Sequence, residues 1–296
     1  MKNTVLVTGI NGYIGQYLAF TRPANLNLNG TIRNSAANSN PILSGLPLIN
    51  FNIEQEPDKY LGKLNPSILI HTAAMANLAK CERDPVRAMQ INAQATARLA
   101  HWCFEKGIRM IYLSTDIVFS GEKPPYDENS QPDPVNAYGR SKFAGERAVS
   151  DQLTNYAIVR VSLALGRGLW QKQNFMDWIF DRFESGKEVT LFDDEIRTPT
   201  AIFDLVKLIW KIALSEETGI FHLCSSKSIN RYELGKQICD KIGWGHRQLK
   251  PIHSADIKDY PRPADVSLKS TRPFNGKDLT MPAIDLMLDS ILKKFI

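Results

Sequence analysis

Residues 4–15 read TVLVTGINGYIG: a run of strand character, glycines at positions 9, 12 and 15, and the apolar start of a helix. Without side chains at Gly9, Gly12 and Gly15, such a turn lets the backbone around Asn11, Tyr13 and Ile14, and the N-terminus of the next helix, approach a pyrophosphate. Asn11-Gly12 alone would suit a hairpin turn. Its place between a first strand and a first helix makes dinucleotide binding the expectation.

Outward from that turn, β-branched runs alternate with helical patterns: GTI, PLINF, PSILIHTA, RMIYLST and YAIVRVSL, ending at Leu163. Alternation of this kind predicts parallel strands with crossover helices. PSILIHTA and RMIYLST are almost continuously apolar, as strands covered on both faces are. The helix between them is expected from about Asp84 to Lys106, stopped by Gly107. The fold class predicted is α/β, a Rossmann-type doubly wound parallel sheet with a smaller, interleaved C-terminal substrate domain.

After Gly166 the rhythm changes. Helices are expected in residues 174–188, 197–214 and 231–244, a strand in GIFHLCSS (219–226), and a Pro-rich tail beyond. Residues 1–165 are expected to form the NADP-binding domain, with a returning segment at about 192–226; residues 166–191 and 227–296 form the substrate domain.

Composition narrows the function. The 296 residues are 43% hydrophobic and 23% charged, with 36 Lys and Arg against 31 Asp and Glu. The resulting net charge of +5 is dispersed, which suits an anionic small molecule and does not point to nucleic acid. No membrane segment, signal peptide or CxxC pair is seen. The four dispersed cysteines read as reduced core thiols, and the expected location is cytoplasmic. The five histidines have no ligand spacing, so no metal is expected. His71 reads as a satisfied core group, and Trp102, Trp178 and Trp210 as core packing.

The second strand of such folds ends in the residue that reads the ribose 2′ position. Here TIRNS places Arg33 and Ser35 there with no acid nearby, favouring NADP(H) and leaving NAD(H) as the other option. RMIYLST ends at Ser114 and Thr115, at the sheet edge where ligands bind, and AYGRSKFAGE (137–146) follows. On a helix Tyr138 and Lys142 share one face. A phenol of pKa ~10 is a sluggish acid at neutral pH, and a neighbouring cation is expected to lower it. Thr115 or Ser114 would orient the carbonyl that Tyr138 protonates, packing or a local hydrogen bond being the other reading of Ser114. Asp116 could instead cap the next turn.

These residues together resemble the extended short-chain dehydrogenase/reductase family, most closely its dTDP-4-dehydrorhamnose reductase branch. TGINGYIG, HTAAMANLAKCE, INAQAT, LSTDIVFSG, NAYGRSKFAGE, NF, RTPT, FHLCSS and RPADVSL fall in the family's order over nearly the whole chain. The resemblance implies Thr115, Tyr138 and Lys142 as the catalytic set, with Lys142 also on the nicotinamide ribose. Ala73 and Ala74 would line the cofactor, Asn92 would support the lysine, and Asn52 and Ile53 would lie beside the adenine. Asn174 and Phe175 would sit near the nucleotide diphosphate, with Arg197 and Arg262 in the substrate region; helix capping is the other reading of Asn174, and a surface position that of Arg262. Related dehydratases carry Asp-Glu after the threonine, whereas here Ile117 follows Asp116. MANLAK (75–80) and VSLALG (161–166) also depart from the branch's usual substrate loops.

The function implied is NADPH-dependent reduction of the keto group of a nucleotide-linked sugar. The alternatives are a non-catalytic NADP-binding regulatory subunit, like the methionine adenosyltransferase β subunit, and an NAD-retaining epimerase. A homodimer would pair the helices near 84–106 and 137–150.

Overall fold

The computed structural model describes residues 3–33, 39–274, 276 and 279–292. Strands β1 (Thr4–Thr8), β2 (Asn27–Ile32), β3 (Leu48–Asn50), β4 (Ile68–His71), β5 (Arg109–Thr115) and β6 (Tyr156–Val161) join the strand Gly219–Leu223 in one parallel sheet. The order is Gly219–Leu223, β6, β5, β4, β1, β2, β3. Connections run one way from β1 to β3 and the other way from β4 onward, so a crevice opens beyond the carboxyl ends of β1 and β4. Every residue of β4 and β5 is buried, the expected outcome for their continuous apolar runs.

Helices α1 (Tyr13–Phe20), α2 (Pro57–Leu61), α3 (Leu78–Arg83), α4 (Pro85–Met89), α5 (Ala95–Lys106), α6 (Ala137–Ser150), α7 (Phe175–Glu184), α8 (Ile202–Ala213), α9 (Arg231–Ile242) and α10 (Ile284–Leu292) complete the regular structure. One core packs Leu99, Trp102 and Val149 of α5 and α6 against Leu69, Met110 and Tyr112. The other packs Tyr17 and Leu18 of α1 and Leu205 and Ile209 of α8 against Val5, Val7 and Ile111. Burying each aliphatic side chain contributes about 1.5–3 kcal/mol, which is how an amphipathic α8 holds its place. Among the described residues no helix is long and apolar enough to cross a membrane.

Several elements differ from the sequence reading. The second strand begins at Asn27, earlier than GTI. The helix expected at 84–106 is α4, a π-helical turn at Gln90–Gln94 and α5, closed at Gly107 with φ 65°. The helix expected at 197–214 starts only at Ile202, because Ile196–Arg197 pairs with Ile229–Asn230 and Thr200–Ala201 with Ala164–Leu165. Val189–Phe192 pairs with Leu249–Ile252 in another small sheet. Helix α10 was not anticipated. Trp178 is 39% exposed beneath the Arg182 guanidinium, so it is not core packing, whereas Trp102 and Trp210 are buried.

A charged pair lies deep in the fold. Arg160, near the carboxyl end of β6, reaches Glu146 of α6 through Nε at 2.9 Å and Nη2 at 2.7 Å, both side chains being almost fully buried. Removing one partner strands the other in a low-dielectric interior. Arg160→Met should therefore cost about 3–5 kcal/mol in urea unfolding, and Arg160→Met with Glu146→Leu should recover most of it. A single variant within about 1 kcal/mol of the parent would refute this reading of the pair.

Candidate active site

A cleft of about 780 Å³ opens over the carboxyl ends of β1, β2 and β4. Gly9, Asn11 and Gly12 line it, with Arg33 at the end of β2, Asn52 and Ile53 after β3, and Ala73 and Ala74 after β4. Ser35 lies outside the described residues. Tyr13, Ile14 and Gly15 form the first turn of α1, and a Cβ on Gly15 would stand 2.4 Å from the Gly9 carbonyl oxygen. The N-terminus of α1 has no capping side chain and no acid in its first turn. Its N–H groups therefore suit an anion, and the turn fits the diphosphate of a dinucleotide.

The walls include residues that the sequence did not single out. Glu54 and Arg87 face each other as a two-point ion pair, and Phe51, Lys80, Ile91, Trp170, Gln171 and Lys172 also line the cleft. The Asn52 amide is engaged locally, bonded to Glu54. Met75, on the cleft wall, packs with Tyr138 against Cys81, Ala88 and Ala137, bringing the cleft to the helix that carries Tyr138.

Helix α6 starts where Asn136 caps the Gly139 N–H at 2.9 Å and Glu82 of α3 accepts from the Ala137 N–H at 2.8 Å. That fixes Tyr138 in the first turn, beside Thr115 at the end of β5. Thr115 Oγ1 donates to Asp116 Oδ1 at 3.1 Å. Burial and the Asp116 carboxylate raise the Tyr138 phenol above its ordinary value, the Thr115 hydroxyl working the other way. Lys142, the cation expected to act on this phenol, has partners of its own. Its Nζ donates to the Leu113 carbonyl at 2.7 Å and lies 4.0 Å from the Tyr112 ring centroid. Burial pushes the Lys142 ammonium down to about 7, while Glu146 one turn on pulls it upward.

Other expected site residues have partners within the protein. Ser114 donates to Glu146. Arg197 is 4% exposed, bonded to the Ile196 and Ala264 carbonyls and flanked by Asp116 and Glu195. Arg262 pairs with Glu195 and Asp259 and lies over Tyr260 and Phe192. Asn92 does not touch Lys142: its amide binds both backbone groups of Met75 and, at 2.9 Å, the Ser141 hydroxyl. Asn174 caps α7, yet its Nδ2 is buried without a partner, and Phe175 lies under the Arg231 guanidinium. The four cysteines are all buried, and none is joined in a disulfide. Asp193, Asp194 and His253 bring donor atoms within 4.8 Å of one another, a grouping that ligand spacing did not suggest; Asp194 is bonded to Ser254.

The sheet order, the glycine turn at its switch point and the Thr115-Tyr138-Lys142 placement define an extended short-chain dehydrogenase/reductase. More narrowly, the chain belongs to the RmlD substrate binding domain family, whose model matches residues 1–295. The probable low-salt glycan biosynthesis reductase Agl14 of Haloferax volcanii is 31% identical over 263 residues, 87% of this chain and 85% of that protein. Methionine adenosyltransferase 2 subunit beta of Bos taurus is 28% identical over 213 residues, 70% of this chain and 64% of that one. The structure of dTDP-4-dehydrorhamnose reductase from Bacillus anthracis str. Ames in complex with NADP matches with a TM-score of 0.88 at 26% identity, covering 99% of this chain and 100% of the other.

His71 sits beneath the site, between Thr8 Oγ1 at 2.6 Å and Thr96 Oγ1 at 3.1 Å. Burial pushes its imidazole down to about 3, with the Lys142 charge adding to the effect. Unfolded, the same imidazole titrates near ~6.5, so between about 3 and 6.5 the unfolded chain binds the extra proton. The His71 contribution is fully present above that window and is lost as the pH falls through it, by about 1.4 kcal/mol per unit. Urea titrations from pH 7 to 4 should show this slope, and His71→Asn should flatten it; an identical slope in the variant would remove His71 as the cause.

Proposed function

We propose that the protein is an NADPH-dependent reductase of the keto group of a nucleotide-linked sugar, of the dTDP-4-dehydrorhamnose reductase type. The observation that carries this reading is the placement of Tyr138 beside Thr115 and packed with Met75, where the glycine-turn cleft meets α6. NADPH, when bound, supplies the hydride. Tyr138, held protonated by burial, gives its proton to the carbonyl oxygen. Thr115 turns its hydroxyl from Asp116 to that oxygen and orients it. Lys142, fixed by the Leu113 carbonyl, holds the nicotinamide ribose. Arg33 reads the 2′-phosphate, which also weighs against an NAD-retaining epimerase.

On this reading residues 1–165 with the returning segment 192–226 bind the cofactor, and 166–191 with 227–296 bind the sugar nucleotide through Asn174, Phe175 and Arg262. A homodimer would use the outer faces of α4 to α6, where Val86 is 67% and Phe104 62% exposed.

A second reading, a non-catalytic NADP-binding subunit, is supported by the likeness to the Bos taurus β subunit. NADPH oxidation with dTDP-4-dehydrorhamnose separates the two. Turnover to dTDP-rhamnose is expected; tight NADPH binding without turnover on any keto-sugar nucleotide would favour the subunit. Tyr138→Phe should lower turnover roughly 100- to 10,000-fold while NADPH binding is retained. Arg33→Ala should weaken NADPH by about tenfold more than NADH, and equal losses would remove Arg33 from the 2′-phosphate.

A further inference from the structure

The segment Arg167–Gln173 enters the cofactor cleft from the C-terminal half of the chain, and neither sequence motif nor catalytic chemistry accounts for it. It is tied to α1 and α7 at defined points. Gln16, fully buried in α1, accepts from the Trp170 N–H at 2.9 Å and donates to the Trp170 carbonyl at 3.0 Å. The same Gln16 amide lies within hydrogen-bond reach of the glycine turn, at 3.1 Å from Asn11 Oδ1 and 3.2 Å from its carbonyl. Tyr17 Oη donates to the Arg167 carbonyl at 2.7 Å, while Asp177 of α7 accepts from Arg167 Nε and from the Gly168 N–H, each at 2.7 Å.

The segment is also folded tightly on itself. A Cβ on Gly168 would lie 1.5 Å from the Lys172 carbonyl oxygen, so only glycine permits this return. Gln171 has φ 48°, a left-handed conformation that L side chains adopt at a cost of order 1 kcal/mol or more. Trp170, Gln171 and Lys172 line the same cleft as Gly9, Asn11 and Gly12. Among the cleft's cations, Arg87 is already paired with Glu54, Arg33 stands at the end of β2, and Lys80 lies on α3, outside the strap. Among the described residues Lys172 has no carboxylate partner.

We propose that this strap is the outer wall of the diphosphate site and that Lys172 binds the diphosphate of the dinucleotide opposite the glycine turn. The proposal rests on the reading that a nicotinamide dinucleotide occupies the cleft. Gln16 is the positioning residue: one buried amide sets the strap and the glycine turn relative to each other. A diphosphate contact serves NADPH and NADH alike, in contrast to Arg33, whose contact is with the 2′-phosphate alone.

Equilibrium titration of the full chain with NADPH and with NADH, followed by cofactor fluorescence and without sugar substrate, tests this. Lys172→Gln should weaken both cofactors by the same factor, roughly tenfold, with a shallower dependence on salt; Lys172→Arg should restore most of the affinity. Gly168→Ala, which displaces the strap with its charge intact, should weaken both to a similar extent. Unchanged affinities in Lys172→Gln would overturn the proposal, as would a loss confined to NADPH. A wild-type protein that binds neither cofactor would instead remove the dinucleotide reading, and this contact with it.

Discussion

The Gly15 Cα lies close to the Gly9 carbonyl, and this contact sets the position of much of the cofactor half. A methyl group there would stand 2.4 Å from that oxygen and 2.7 Å from the Ile10 Cα, so α1 could no longer leave β1 at its present angle. That angle presents the uncapped N-terminus of α1 to the cleft. It also sends Gln16 and Tyr17 toward the Trp170 and Arg167 backbone, and sets Tyr17 edge-on to Phe203 of α8 with ring centroids 5.0 Å apart. One steric allowance in the first turn thus fixes an anion site, a strap and a helix–helix contact.

A second arrangement runs along a single face of α6. Tyr138, Lys142 and Glu146 follow one another at helical spacing. Glu146 is held by Arg160 and Ser114 and lies one turn from Lys142, where it offsets part of the cost of burying the ammonium. Lys142 in turn faces the Leu113 carbonyl and the Tyr112 ring, leaving the Tyr138 phenol governed by burial, Asp116 and Thr115. A phenol kept protonated at neutral pH suits a proton donor; its strength as an acid must come from a bound carbonyl developing negative charge beside it.

The fold was largely legible because its strands carry unambiguous signals: β4 and β5 are apolar throughout, and the glycine spacing at 9, 12 and 15 has few structural uses. The residues lining the cleft from β1, β2 and β4 could be placed from strand ends alone. What could not be read depends on distant partners. Arg160 in an apolar strand asked for a counter-charge, but nothing local named Glu146. Ser114 and Arg197 carried the polarity expected of substrate ligands, yet interior carboxylates claim both. The Asn92 contacts arise from the π-helical turn at Gln90–Gln94, an irregularity without a periodic signature. Trp170 and Lys172 are held at the cleft by a segment tied to Gln16, Tyr17 and Asp177, with Gln16 154 positions away from Trp170 in sequence.

The order in which the chain is threaded has its own consequence. After β6 it leaves the large sheet for α7, returns through α8 to place Gly219–Leu223 on the sheet edge beside β6, and then leaves again for α9. Helix α10 finally packs against Thr200–Ala201 and α9, with the Ala201 N–H directed to Met287 Sδ at 3.3 Å. During vectorial synthesis, then, the sheet cannot gain its last strand until more than two thirds of the chain has left the ribosome. The segment just before α8 must wait longer still for its cover. The edge of the large sheet and the packing before α8 are thus completed by segments from late in the chain.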